Sequence, residues 1–145
     1  MKVLAQLRNH GVVVVLALTY AFFSVAAASF FGLSNLLDIL HVVSPMIVVA
    51  SGMAIVVISG RLDISVGSIA YVASAVLAIL TRDGTLPFFV VVVISILVGL
   101  LLGMVNALVV VGLRINSLIA TLGTMIAFRG LGLAMTDGGL LSLPC

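Results

Sequence analysis

Five apolar runs, each near the length a helix needs to cross a hydrocarbon layer, leave this chain few folds. They cover approximately Val12 to Phe31, Val42 to Ile58, Ser65 to Leu80, Pro87 to Val111 and Ser117 to Met135. A helix rises about 1.5 Å per residue, so about 20 apolar residues span a bilayer core. The third run is short and could tilt inward or span incompletely. The fourth is long and should tilt, and Pro87 suits its first turn because a proline there loses no intrahelical hydrogen bond. β-branched residues are plentiful, but the polar and apolar alternation of a membrane barrel is missing, so helices are expected. The fold class is all-α: a polytopic helical membrane protein with residues 1–145 in a single transmembrane domain.

Composition explains why lipid has to be the solvent. Of the 145 residues, 64% are apolar and 7% charged, which is too few charges to coat a water-soluble domain. The basic residues are scattered singly rather than clustered as a nucleic-acid footprint would be, so no nucleic-acid partner is expected. Cys145 is the only cysteine, which excludes an intrachain disulfide and a cysteine-based metal cluster.

Lys and Arg in short loops are retained on the cytoplasmic side, and this sets an orientation. Lys2 and Arg8 put the N-terminus in the cytoplasm. Five crossings then place Asp38 and His41 outside, Arg61 inside, Arg82 with Asp83 outside, Arg114 inside and Asp137 outside. Arg82 dissents from the rule, but Asp83 lies beside it. The first run also resembles a cleavable signal peptide, with Ala26-Ala27-Ala28 as a small-residue cleavage site. An uncleaved anchor is preferred, because further apolar runs follow at once.

The stretch Ser59 to Ser68, SGRLDISVGS, spends two of the few charges between the second and third runs. Read from the residues alone, Asp63 and Ser65 are caps for the following helix, with the carboxylate facing its positive end, and Arg61 is an interfacial anchor. A role in a transport pathway is the sharper alternative.

This stretch resembles the permease subunits of bacterial ribose-type sugar ATP-binding-cassette importers. Their signature, Gly-Gly-Ile-Asp-Leu-Ser-Val-Gly-Ser between two apolar helices, is matched by Gly60-Arg61-Leu62-Asp63-Ile64-Ser65-Val66-Gly67-Ser68. A second match follows in register: Asn106, Arg114, Thr121-Leu122-Gly123 and Arg129-Gly130. There are departures. Arg61 stands where the family usually has Gly, Ser117-Leu118 replaces a frequent Pro-containing pair, and Ala107 follows Asn106 where Gly is common.

The resemblance implies a multi-pass subunit of the bacterial plasma (inner) membrane that lines a path for a monosaccharide. Its implied partners are a second permease copy, identical or different, an ATPase subunit that binds ATP and Mg, a periplasmic or extracellular sugar-binding protein, and the lipid bilayer. No cofactor is expected in this chain, and no Walker motif occurs in it. Such permeases are about twice this long, so the chain looks like an N-terminal half. The alternatives are a truncated remnant or a small integral membrane scaffold without transport activity. An intramembrane enzyme ranks last, since no converging set of catalytic groups recurs at helical spacing. No catalytic residue and no metal ligand set is expected, and His41 reads as an interfacial group.

Asp63, Ser65 and Gly67 are the first candidates for a moving or gating turn. Gly99 and Gly103 form a GxxxG that suits close helix packing, and Asn106 lies about one turn beyond it on the same face. A buried amide there could hydrogen-bond across helices or to a sugar hydroxyl. Arg129 falls deep in the fifth run, where a charge costs about 2.5–3.5 kcal/mol on insertion scales. It must snorkel, face the pathway, or pair with Asp137 or Asp63.

Overall fold

The computed structural model describes residues 10–139, and within them regular structure is helical throughout. Lys2, Arg8 and the Leu143-Pro144-Cys145 terminus lie outside the described residues. The helices are α1 (Gly11–Ala26), α2 (Leu33–Ile58), α3 (Val66–Asp83), α4 (Phe88–Ala107), which runs on as a π-turn (Leu108–Gly112), and α5 (Ser117–Met135). Four of these segments are long and apolar enough to cross a membrane, and α1 is a shorter apolar helix. The chain divides into two compact units, one up to Val48 and one from Val49 onward.

In the first unit, α1 stops five residues before the apolar run does. Ala27 turns extended, and the Phe30 and Gly32 amides close tight turns onto the Ala27 and Ser29 carbonyls. This folds Phe30 back on α1, its ring centroid 5.0 Å from that of Tyr20 and edge-on to it. Such aromatic pairs stabilise by about 0.5–1.5 kcal/mol beyond burial.

Helix α2 begins at Leu33, nine residues before the expected start, so Asp38 and His41 sit inside a helix rather than between two apolar runs. The reason is periodicity: Leu33, Leu36, Leu37 and Leu40 repeat at helical spacing across a stretch too polar to count as an apolar run. Pro45 lies inside α2 and has no N–H for the His41 carbonyl four residues back. The Ser44 hydroxyl donates to that carbonyl instead, at 3.2 Å. The same local self-satisfaction, needed where water is excluded, recurs at Thr19, Ser24 and Ser95.

The second unit is organised around α3, which packs on both α4 and α5. Ser65, Ser68, Val72, Ala75 and Ala78 form one buried stripe at helical spacing, and most are small enough for close helix approach. Helix α3 continues through Thr81, Arg82 and Asp83, past the last apolar residue, and ends where Gly84 takes a φ of 63°. Helix α4 and its π-turn together span 25 residues with a mean hydropathy of 3.1. At about 1.5 Å per residue this exceeds a hydrocarbon core, so the segment must tilt. Pro87 stands just before its first turn, its carbonyl accepting from the Val90 and Val91 amides.

Candidate functional site

Helix α2 ends in a Schellman motif: the Gly60 amide donates to the Val57 carbonyl and the Arg61 amide to that of Val56, with Gly60 at φ 75°. A side chain at Gly60 would be strained by this left-handed backbone. Residues 62–64 lie outside regular secondary structure, so the Leu62 and Ile64 amides have no helical partners and must find others.

They find them on α5. The Leu62 amide donates to the Ser117 hydroxyl at 3.4 Å and the Ile64 amide to the Thr121 hydroxyl at 3.3 Å. Ser117 and Thr121 are four residues apart, hence on one face of α5. The Arg61 guanidinium donates to the Val110 carbonyl at 3.1 Å. That carbonyl belongs to the π-turn. Arg61 is thus more than an interfacial anchor, and the family's usual Gly could not make this bond.

Asp63 closes the turn. Its Oδ1 accepts from the Ser65 amide at 2.8 Å and the Ser65 hydroxyl at 2.6 Å. The expected pair of caps is therefore divided. Ser65 occupies the position before α3 without a side-chain capping bond, and its carbonyl accepts from the Ser68 and Ile69 amides, while Asp63 fixes Ser65. From α4, the Asn106 Nδ2 donates to Asp63 Oδ2 at 3.3 Å and also to the Ser65 hydroxyl. Ser65 is fully buried, Thr121 is 2% exposed and Asn106 4%. Buried polar groups are costly unless bonded, and here one oxygen is not: Asn106 Oδ1 is buried without a partner. A cleft of about 220 Å³ adjoins this node, with Arg61, Asp63, Gly103 and Asn106 among its lining residues.

The other candidates fall elsewhere. Gly67, in the first turn of α3, opens onto space: a Cβ there would meet nothing within 4 Å. A Cβ on Gly99 would meet Ile69 and Ala73 of α3 at ordinary contact distances, 3.9 and 4.0 Å, and one on Gly103 would meet nothing within 4 Å. The two glycines thus differ within this chain. Arg129 makes no hydrogen bond or ion pair among the described residues, with Asp63 and Asp137 included. It lines a second cleft, between α3 and α5. Among the described residues, no three His, Cys, Asp or Glu side chains converge as a metal site.

The closest helix approach escaped the sequence reading. A Cβ on Gly132 would lie 2.5 Å from the Tyr71 ring, and the Tyr71 hydroxyl bonds that of Thr136 at 3.1 Å. The only signal was Gly130-Leu131-Gly132 in α5, which also fits a loose packing stripe.

Arg61 and the start of α5 lie at one end of this unit, while Arg82 and Asp137 line one cleft at the other.

Comparison with known proteins puts these features in a family. The family described as "Branched-chain amino acid transport system / permease component" matches residues 35–142. The chain is 34% identical over 125 residues to a ribose import permease protein of Haemophilus influenzae, covering 86% of this chain and 38% of that protein. It is 28% identical over 139 residues to an autoinducer 2 import system permease protein of Photorhabdus luminescens, covering 95% and 41% respectively. It is 35% identical over 107 residues to a galactofuranose transporter permease protein of Escherichia coli, covering 73% and 31%. The chain therefore spans about two-fifths of the length of the first two and less of the third. No solved structure matches it significantly. With the family matched over most of the chain and with spanning helices in place, this chain belongs to the branched-chain amino acid transport system / permease component family as a multi-pass helical membrane protein.

Proposed function

We propose that this chain forms part of the translocation path of an ATP-driven importer of small sugars in the bacterial plasma membrane. It would work with a second permease copy, with ATPase subunits that bind ATP and Mg, and with a periplasmic or extracellular sugar-binding protein. Similarity to permeases named for ribose, autoinducer 2 and galactofuranose import supports this reading. The observation that carries it is the buried Asp63–Ser65–Asn106–Thr121 node, which joins the turn before α3 to both α4 and α5.

Alternating access needs helices that rock while keeping their order, and a shared polar turn provides a fixed end for such motion. Asp63, Ser65 and Gly67 are the gating turn in this proposal. Asn106 is its link to α4. The bonds hold α3, α4 and α5 at one end, and the small buried residues of α3 allow close helix approach along the rest. The unpartnered Asn106 Oδ1 makes this arrangement costlier by about 1–3 kcal/mol than a fully bonded one.

The test is uptake of radiolabelled monosaccharides into membrane vesicles supplied with ATP, the ATPase and the binding protein. Uptake should be lost when the chain is deleted. Uptake that persists unchanged would remove the transport reading.

A further inference from the structure

The cleft between α3 and α5 has a volume of about 310 Å³ and is lined by Gly67, Ser68, Tyr71, Arg129 and Leu133. This is the low end of the range for small-molecule pockets. Three features of its lining suit a polar ligand. Arg129 is exposed and presents up to five N–H donors to the cleft, with no acceptor among the described residues. The Ser68 hydroxyl makes no hydrogen bond among the described residues and opens onto the cleft, although the residue as a whole is only 7% exposed. A hydroxyl facing an open cleft can exchange a hydrogen bond with whatever occupies it. The Tyr71 ring forms a fixed wall, held against α5 by the absence of a side chain at Gly132 and by the bond from its hydroxyl to Thr136.

Together these describe one ligand chemistry. The guanidinium fork takes two adjacent oxygens, the serine hydroxyl exchanges a hydrogen bond with a third, and the aromatic face takes an apolar C–H surface. A lipid phosphate supplies the oxygens but no flat C–H face. We infer that the α3–α5 cleft is a binding site for the ring of a small polyhydroxylated solute, with Arg129 and Ser68 as its polar contacts and Tyr71 as its platform. The inference rests on the transport reading and assigns a contact site for the solute within the path.

Two measurements test it separately from that reading. In the vesicle uptake assay, Arg129→Gln should raise the apparent KM by about tenfold and Ser68→Ala by about fivefold, the effect of losing a charged and a neutral hydrogen-bonding group. Uptake that needs the chain but keeps its KM in both variants overturns the inference and leaves the transport reading standing. Should the variants fail to insert, phenylglyoxal modification of Arg129 in the unaltered chain, read by mass spectrometry, decides. A panel of aldopentoses and aldohexoses should slow that modification in both phosphatidylcholine and phosphatidylglycerol vesicles. Modification slowed by no sugar, or slowed by phosphatidylglycerol alone, overturns the inference, the latter by assigning the cleft to a lipid phosphate.

Discussion

The side-chain amide of Asn106 reaches both oxygens of the Asp63 carboxylate, at 3.3 Å to Oδ2 and 3.5 Å to Oδ1. One residue ends an extended turn and the other sits near the end of α4, so their contact ties two segments that the sequence keeps 43 positions apart. Removing the carboxylate leaves a buried amide and a buried hydroxyl with fewer partners. Asp63→Ala should destabilise the chain by about 1–3 kcal/mol. In vesicles it should lower transport more than expression, and equal loss of both would assign Asp63 a capping role alone.

Gly132 and Tyr71 make the tightest crossing in the second unit. Gly132→Ala puts a methyl group into the ring and should cost about 1–3 kcal/mol, as overpacking of a close contact does. Tyr71→Leu in the same chain should recover most of that loss. Thermal unfolding in detergent checks both. A Gly132→Ala chain that melts with the original would contradict the contact.

Pro45 interrupts the backbone ladder of α2 at a position where Ser44 covers the orphaned His41 carbonyl. Pro45→Ala restores a donor to that carbonyl and relieves the ring's clash with the preceding turn, a change of up to about 3 kcal/mol in a helix. Hydrogen–deuterium exchange across α2 should slow in the variant. Unchanged exchange would show that the proline is already accommodated without cost.

Gly99 and Gly103 separate by substitution. Gly99→Leu should push against Ile69 and Ala73, destabilising by about 1–3 kcal/mol. Gly103→Ala should stay within about 0.5 kcal/mol, because nothing among the described residues lies within 4 Å of its Cβ. Melting temperatures of the two variants give the comparison, and equal losses would contradict it.

Much of the fold was legible because apolar length and helix length coincide in a membrane. The fifth run matches α5 at both ends, Ser117 and Met135, where Asn116 accepts the Leu118 amide at the start. The reading failed where helices extend into polar sequence. Asp38 and His41 fall between the first two apolar runs, yet amphipathic periodicity carries α2 through them, and α3 runs past Leu80 because a left-handed glycine, not the end of apolarity, stops it. At the site, the residue types of Asp63, Ser65 and Asn106 marked them out, but their convergence depends on how α4 returns to the turn. The Arg61–Val110 bond has no local signal, and the Gly132–Tyr71 crossing has only the Gly130-Leu131-Gly132 pattern, which does not name its partner. Both arise from helix packing, which pairs residues far apart in sequence.

The node's central claim is that Asp63 and Asn106 act as one unit. A double-mutant cycle with Asp63→Ala, Asn106→Leu and the double variant, measured as unfolding free energy in detergent and in parallel as uptake rate, tests it most directly. The account predicts a coupling energy of about 1–2 kcal/mol in stability and uptake losses that do not multiply. Effects that add to within about 0.5 kcal/mol, with independent losses of uptake, would contradict it.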